Sequence, residues 1–296
     1  RDRLSVFFVV VMISGGYLCK YCLIIHVSNL VFWLLVEFGS AGAHSPSLKP
    51  AAIGGVVSLV AFCGLVTADL VMRGQADEKA EGNLERATQQ IIEGSQGNDF
   101  TGRWRLGPEK AAIRVVVFSD YQCPDCKRHE HKIMKAFAER DDMSVSMKHF
   151  PFCSDCNPYM KDTLHPNACW AARAAETAGI LGGEEAFWEM HRWLFEIDGN
   201  FTNAALQAKV VDLGLDVQQW NATMPSAETL RRVQDDVGEA VGLGIRRTPF
   251  IFINGVLLEG WERIEDAFER AITALAATNP PARTAAADKP PTAIPQ

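Results

Sequence analysis

The most constraining feature of this chain is a β-patterned run that ends in a cysteine pair. Ile113–Asp120 (Ile-Arg-Val-Val-Val-Phe-Ser-Asp) is apolar and β-branched. Tyr-Gln-Cys-Pro-Asp-Cys follows and puts Cys123 and Cys126 at the opening of a helical pattern. A second pair of the same spacing, Cys19 and Cys22 (Cys-Lys-Tyr-Cys), lies in a strongly apolar N-terminal region. One such pair would be a weak signal. Two, in such different settings, suggest electron transfer between two dithiols.

The chain has 296 residues, enough for two domains, and a formal net charge of −7. No basic run or aromatic-basic patch appears, so a nucleic-acid partner is not expected. Residues 4–72 are dominated by Val, Leu, Ile, Phe and Gly, whereas residues 73–276 read as a charged globular domain. The 8 cysteines fit either a metal protein or thiol–disulfide chemistry in an oxidising compartment. Because the chain begins with Arg1, we expect a fragment or processed product with elements missing upstream.

Two stretches, 21–38 and 51–72, approach the length of about 20 apolar residues that a bilayer crossing needs, and 4–18 reads as the end of a third. A single cleaved signal peptide does not explain such a series. Counting crossings returns the chain after Met72 to the face that holds Cys19 and Cys22. Arg1, Arg3 and Lys49 would then lie inside the cell. His26 and Asn29 are polar groups within a span, so they should face other helices or a ligand such as a quinone head group. Cys63, with no partner near it in sequence, reads as a small packing residue.

A Cys-x-x-Cys heading a transmembrane helix, then one more span, then a thiol domain, resembles the bacterial vitamin K epoxide reductase family. The resemblance covers roughly residues 4–72. It implies a helical membrane core in which Cys19 and Cys22 sit beside a quinone. The family's upstream helices and its shuttle cysteine pair are not present in this chain.

In the second half, helices are expected over 127–140, over 166–197 with a break near 179–183, and over 204–213, 227–241 and 262–276. Strands are expected over 141–152 and from Thr248, with an Asn254-Gly255 turn and a returning strand over 256–260. The polar stretch 77–102 reads as a short amphipathic helix plus linker. Strand, Cys-x-x-Cys, helix, helical insertion, then Thr248-Pro249 before a hairpin and a last helix resembles the thioredoxin fold in its DsbA-like form. The motifs are Phe118–Cys126, His165–Ala172, Phe187–His191 and Thr248–Gly255. The expected fold class is therefore a partial α-helical transmembrane bundle over 1–72, a linker over 73–100, an α/β thioredoxin domain with helical insertion over 101–277, and a disordered tail over 278–296.

Disulfide exchange needs a thiolate, and Cys123 at a helix start would have unpaired N–H groups to stabilise one. Cys126, one turn on, would resolve a mixed disulfide. Pro124 suits the first helical turn. Asp125 should oppose ionisation of Cys123, partly offset by Lys127, Arg128 and His129. Pro249 should be cis, so that Thr248 and Pro249, with Pro124, bind a client strand. For Cys153, Cys156 and Cys169 three readings stand: a structural disulfide among them, an auxiliary redox pair, or a zinc site completed by His165. No metal cofactor is expected. His165, His191, Trp170 and Trp188 read as core or surface.

The function expected is a membrane-bound thiol–disulfide oxidoreductase on the extracytoplasmic face of a cell membrane. Its partners would be secreted or periplasmic protein thiols, the lipid bilayer and a membrane quinone as electron acceptor. The alternatives are a tethered reductase or isomerase, and a non-catalytic thioredoxin-fold binding module.

Overall fold

The computed structural model describes residues 48–94 and 100–278, with side chains before position 63 described only at 56, 59 and 60. The chain divides into two compact units, Arg1–Glu78 and Lys79–Gln296. The expected spans at 4–18 and 21–38 lie outside the described residues, as do Cys19, Cys22, His26, Asn29 and the tail after Thr278.

Helix α1 runs from Leu48 to Glu93. It takes in the third expected span and most of the expected linker. Among the described residues no helix is long and apolar enough to cross a membrane, so the transmembrane bundle is not part of the described structure. The apolar pattern of α1 gives way at Arg73 to a polar one, and the helix continues without a stop signal. In the first unit, Val56, Leu59, Val60, Leu65, Leu70, Val71 and Met72 of α1 are exposed.

In the second unit, the end of α1 buries Ala80, Leu84, Ala87 and Ile91. Their spacing of four, three and four residues keeps them on one helix face. Burying Leu84 and Ile91 contributes about 1.5–3 kcal/mol each. Gly260 (φ +88°) permits the close approach: a Cβ there would lie 2.8 Å from the Ala80 carbonyl oxygen. Arg270 reaches Glu81 at 2.8 Å across the same seam.

The remaining elements are β1 (Arg105–Leu106), β2 (Ile113–Ser119), α2 (Pro124–Ala138), β3 (Met143–His149), α3 (Ala168–Glu196), α4 (Asn203–Asp212), α5 (Val217–Thr223), α6 (Ala227–Gly242), β4 (Phe250–Ile253), β5 (Val256–Leu257) and α7 (Ala267–Thr278). They form one five-stranded sheet in the order β1-β3-β2-β4-β5. β2 and β3 are parallel, joined through α2, and β4 is antiparallel to β2. The β4–β5 hairpin turns at Asn254 (φ 51°) and Gly255 (φ 80°), the two positive φ values such a tight turn requires.

Side chains alternate along β2 between two cores. Ile113, Val115 and Val117 join Ile133, Trp188, Phe187 and Phe268 in the larger core. Val116 and Phe118 join Phe150, Val237, Ala240, Ile245 and Phe252 in a smaller one. A strand covered on both faces reads as the unbroken apolar run seen in the sequence.

β3 differs from its alternating sequence. Ser144, Ser146 and Lys148 are buried as well as Met143, Val145 and Met147. Lys148 is kept inside by Glu239 of α6, at 2.5 Å, and lies over the Phe100 and Phe118 rings.

The helical insertion begins with α3, whose break falls at Gly183 (φ 75°, ψ −164°), within the expected interval. The three following helices each start at an oxygen-bearing cap: Thr202 to the Ala205 N–H, Asp216 to Gln219 and Ser226 to Thr229. The short α5 had no periodicity long enough to show in the sequence. Trp104 packs face to face with Phe187 against α3, where Gly179 leaves room: a Cβ would fall 2.4 Å from the indole.

A buried polar cluster joins this insertion to the sheet. His149 donates its backbone N–H to Asp236 and its Nε2 lies 3.2 Å from Glu176. Although His149, Glu176 and Asp236 bring their ligand atoms within 4.8 Å of one another, the Arg103 guanidinium already bonds Asp236 at 2.6 Å and reaches Glu176. A guanidinium of the protein thus supplies positive charge to both carboxylates. The cluster is a structural tie.

Candidate functional site

The carboxyl end of β2 delivers the chain into a turn at Asp120. The Cys123 N–H donates to the Asp120 carbonyl at 3.1 Å, and Cys123 becomes the N-cap of α2 with Pro124 behind it in the first turn. Its side chain therefore lies where the first N–H groups of the helix have no partner within the helix.

Cys123 and Cys126 are both free thiols, and the Cys123 Sγ lies 3.7 Å from the Thr248 carbonyl oxygen. The Thr248–Pro249 peptide bond is cis, as expected. Pro124, Thr248 and Pro249 thus belong to the same neighbourhood as the sulfur.

The Cys123 pKa is lowered from 9.0 to about 6. The largest cause is the hydrogen bond from the Cys126 thiol. Burial opposes it, and Thr248 and the N–H groups of Cys126 and Asp125 add to the lowering. Cys126 moves the other way: burial, then the neighbouring Cys123, push its pKa well above 9.0. The two sulfurs are thus divided into a nucleophile ionised at neutral pH and a protonated partner beneath it.

Asp125 does not play the part its sequence position suggests. Its carboxylate turns outward to Arg128 at 2.6 Å, and only its backbone N–H acts on Cys123. The expected basic offsets are engaged elsewhere too. Lys127 bonds Asp198 at 2.7 Å, and His129 bonds the Asp125 carbonyl, with its pKa lowered by burial.

A different carboxylate organises the site. Asp120 is buried, and its Oδ1 accepts the Gln122 N–H at 2.7 Å. Its Oδ2 accepts the Phe152 N–H at 2.7 Å and Nδ1–H of His165 at 2.8 Å. Gln122 extends the frame: its Oε1 accepts the Asn167 N–H at 2.7 Å and its amide donates to Asn200 at 2.6 Å. Behind it, the Tyr121 hydroxyl lies 3.0 Å from His191 Nδ1, whose Nε2 lies 2.8 Å from Glu130. Sequence reasoning missed Asp120 as a hub, because its three partners come from separate segments. It also read His165 as core or surface. The motifs containing both were visible, their contact was not.

Cys156 and Cys169 form a disulfide that ties the loop after β3 to the start of α3. Cys153 is left as a buried free thiol. Of the readings open in sequence, this is the structural bridge. The zinc reading fails, since two of its four ligands are bonded to each other and the Nδ1 of His165 is held by Asp120.

Residues 114–273 match the family described as DSBA-like thioredoxin domain. Among solved structures, α-DsbA2 of Wolbachia pipientis is similar, at 18% identity and a TM-score of 0.47 over 67% of this chain and 97% of that one. Pseudomonas aeruginosa DsbA2 is similar at 22% identity and a TM-score of 0.45, over 61% and 98%. Among curated proteins, the Na(+)/H(+) antiporter NhaA 1 of Salinispora arenicola is 28% identical over 250 residues, which is 83% of this chain and 36% of that protein. The NhaA 1 of Mycolicibacterium vanbaalenii is 31% identical over 160 residues, 53% of this chain and 24% of that protein. The chain thus spans about a third or less of the length of these relatives. With the matched segment taking in β2, the Cys-Pro-Asp-Cys site, the helical insertion and the β4–β5 hairpin, the chain belongs to the DsbA-like thioredoxin domain family.

Proposed function

We propose that this domain is a thiol–disulfide oxidoreductase that forms disulfides in secreted or periplasmic proteins through Cys123. The observation that carries the reading is the division of the pair: a Cys123 pKa of about 6 above a buried Cys126 whose thiol is held protonated. In the oxidised enzyme, a client thiolate attacks Cys123 Sγ, forms a mixed disulfide and displaces Cys126, which takes up a proton. A second client thiolate then attacks the client sulfur of that mixed disulfide. The client disulfide forms and Cys123 departs as a thiolate. Its low pKa makes it a good leaving group, which favours oxidation of the client over reduction.

Reoxidation of Cys123/Cys126 is assigned to a membrane quinone reached through Cys19 and Cys22, with His26 and Asn29 at the quinone. Cys19/Cys22 share a spacing with the catalytic pair and lie in the apolar N-terminal region. The exposed apolar side chains of α1, from Val56 to Met72, favour a membrane tether.

The curated relatives favour a second reading of that tether. A continuous match covering 83% of the chain has to include part of its apolar N-terminal quarter, and the relative is named as an antiporter. On this reading, residues 4–72 are the end of an ion-transporting membrane domain, and an external oxidant recycles the thiols. Oxidation of a reduced dithiol peptide by the purified full chain, with and without added quinone, tests both. Peptide oxidation that requires Cys123 supports the proposed activity. Quinone-dependent turnover lost in Cys19→Ala/Cys22→Ala supports the relay, and turnover indifferent to quinone supports the second reading. Failure to oxidise the peptide stoichiometrically defeats the oxidase.

A further inference from the structure

The turn that presents Cys123 contains an electrostatic conflict. Asp120 lies three residues before the nucleophile, with its side chain wholly buried. The Cys123 N–H donates to its carbonyl, so the carboxylate and the sulfur belong to one closed turn. A buried carboxylate at this place opposes a thiolate, because low polarisability leaves their repulsion unscreened. Its bonds from the Gln122 and Phe152 N–H groups are neutral donors and cancel no charge.

The one ionisable side chain hydrogen-bonded to Asp120 among the described residues is His165. It is anchored for the purpose. The His165 N–H donates to the Phe152 carbonyl at 3.0 Å, the same residue whose N–H bonds Asp120. The Phe152 ring meets the imidazole edge-on at 5.6 Å. The Cys156–Cys169 disulfide closes the loop that carries it.

We propose that His165 is a positioning residue for exchange at Cys123: as the imidazolium partner of Asp120, it cancels the carboxylate charge in the turn that carries the sulfur and favours the thiolate. The proposal rests on Cys123 as the nucleophile. The ionisable groups that act on His165 are Asp120 and Cys123, both from the β2–α2 turn. The Asp120 hydrogen bond raises the His165 pKa, burial lowers it, and the charges of Asp120 and Cys123 add to the rise. Cys123 itself faces Cys126, Thr248 and the α2 N-terminus.

Two measurements test it. The first is the thiolate absorbance of Cys123 against pH in the full chain, with Cys126 replaced by Ala to isolate one sulfur. His165→Gln removes the charge and leaves a neutral amide in place of the imidazole. Its titration midpoint should rise by about one pH unit. Asp120→Asn added to His165→Gln should bring the midpoint back toward that of the parent. A merely structural role predicts no such rescue. Superimposable curves for parent and His165→Gln, or a double variant no better than the single, overturn the proposal.

The second uses the wild-type chain and needs no variant to fold: the His165 imidazole is titrated by NMR with Cys123 and Cys126 first reduced, then joined as a disulfide. Loss of the thiolate on oxidation should lower the His165 midpoint, and equal midpoints overturn the proposal. Both readouts stand apart from turnover. A chain that oxidises no client yet shows the coupling would refute the proposed function and leave this inference in place.

Discussion

Cys123 begins its Cys-x-x-Cys at the first turn of α2, whereas Cys153 begins its own in a turn that never becomes a helix. At Cys123, the N–H groups of Asp125 and Cys126 are available to the sulfur. At Cys153, the N–H of Cys156, the counterpart of Cys126, is spent on the Cys153 carbonyl at 3.4 Å. Each sulfur also faces one carbonyl, that of Thr248 at 3.7 Å for Cys123 and that of Pro166 at 3.9 Å for Cys153. Its neighbour Cys156 is bonded to Cys169 and not to Cys153. A shared spacing therefore says little about reactivity. What distinguishes the pairs is whether the backbone after the first cysteine keeps N–H donors free for the sulfur.

The sharpest way to break this comparison is to remove each pair. Cys123→Ser should lower peptide oxidation by about a thousandfold or more, about 4 kcal/mol of barrier, with little change in the thermal unfolding midpoint. Cys156→Ala/Cys169→Ala should do the reverse. It should cost about 2–3 kcal/mol in urea unfolding, as expected for a disulfide closing a loop of this order. Its Cys123 alkylation should still titrate as a lowered thiol. Near-normal oxidation by Cys123→Ser, or a bridge variant as stable as wild type, would erase the distinction.

The pH dependence sharpens it further. Alkylation of Cys123 should rise with pH through a midpoint of about 6, while Cys153 stays unreactive in the folded chain. The linked stability has a definite sign. The folded pKa of about 6 lies below the ordinary value of 9.0, so ionisation stabilises the reduced fold. That stabilisation is complete above pH 9.0, shrinks as the pH falls, and is gone below about 6. The oxidised form lacks it, so the unfolding midpoint of the reduced form should fall relative to that of the oxidised form as the pH drops through that interval. The reduction potential should accordingly lie between those of thioredoxin and the strong oxidase, about −270 and −120 mV. The smallest effect is expected at Asp125. Asp125→Asn should move the Cys123 midpoint by less than about half a unit, because an exposed carboxylate paired with Arg128 is well screened.

Much of the domain was legible because its elements carry strong local signals. The β2 run, the Pro124 helix start, the Asn254-Gly255 turn and the break in α3 each follow from residues adjacent in sequence. β1 was not legible, since two residues paired to Ser146 and Val145 have no pattern of their own. The amphipathic helix expected within 77–102 is the end of α1, with its buried face from Ala80 to Ile91, but its unbroken continuation from the apolar stretch before it was not legible. At the site, Cys123, Cys126 and Pro249 were found from motifs, but the carboxylate at the centre of the hydrogen-bond frame was not. Asp125 is nearest in sequence to the sulfurs, yet its side chain leaves them. Asp120 is farther away in sequence and turns inward, and only the tertiary structure brings His165 to it.

The Asp120 hub also bears on how this reactivity could be moved or copied. A Cys-Pro-Asp-Cys peptide grafted onto the start of another helix would take with it the helix dipole and the sulfur spacing. It would leave behind the Phe152 and His165 contacts, which reach Asp120 from a loop pinned by a distant disulfide. The transferable unit is thus three segments of chain held in register, and a designer who borrows only the motif inherits the cysteines without the Asp120–His165 frame behind them.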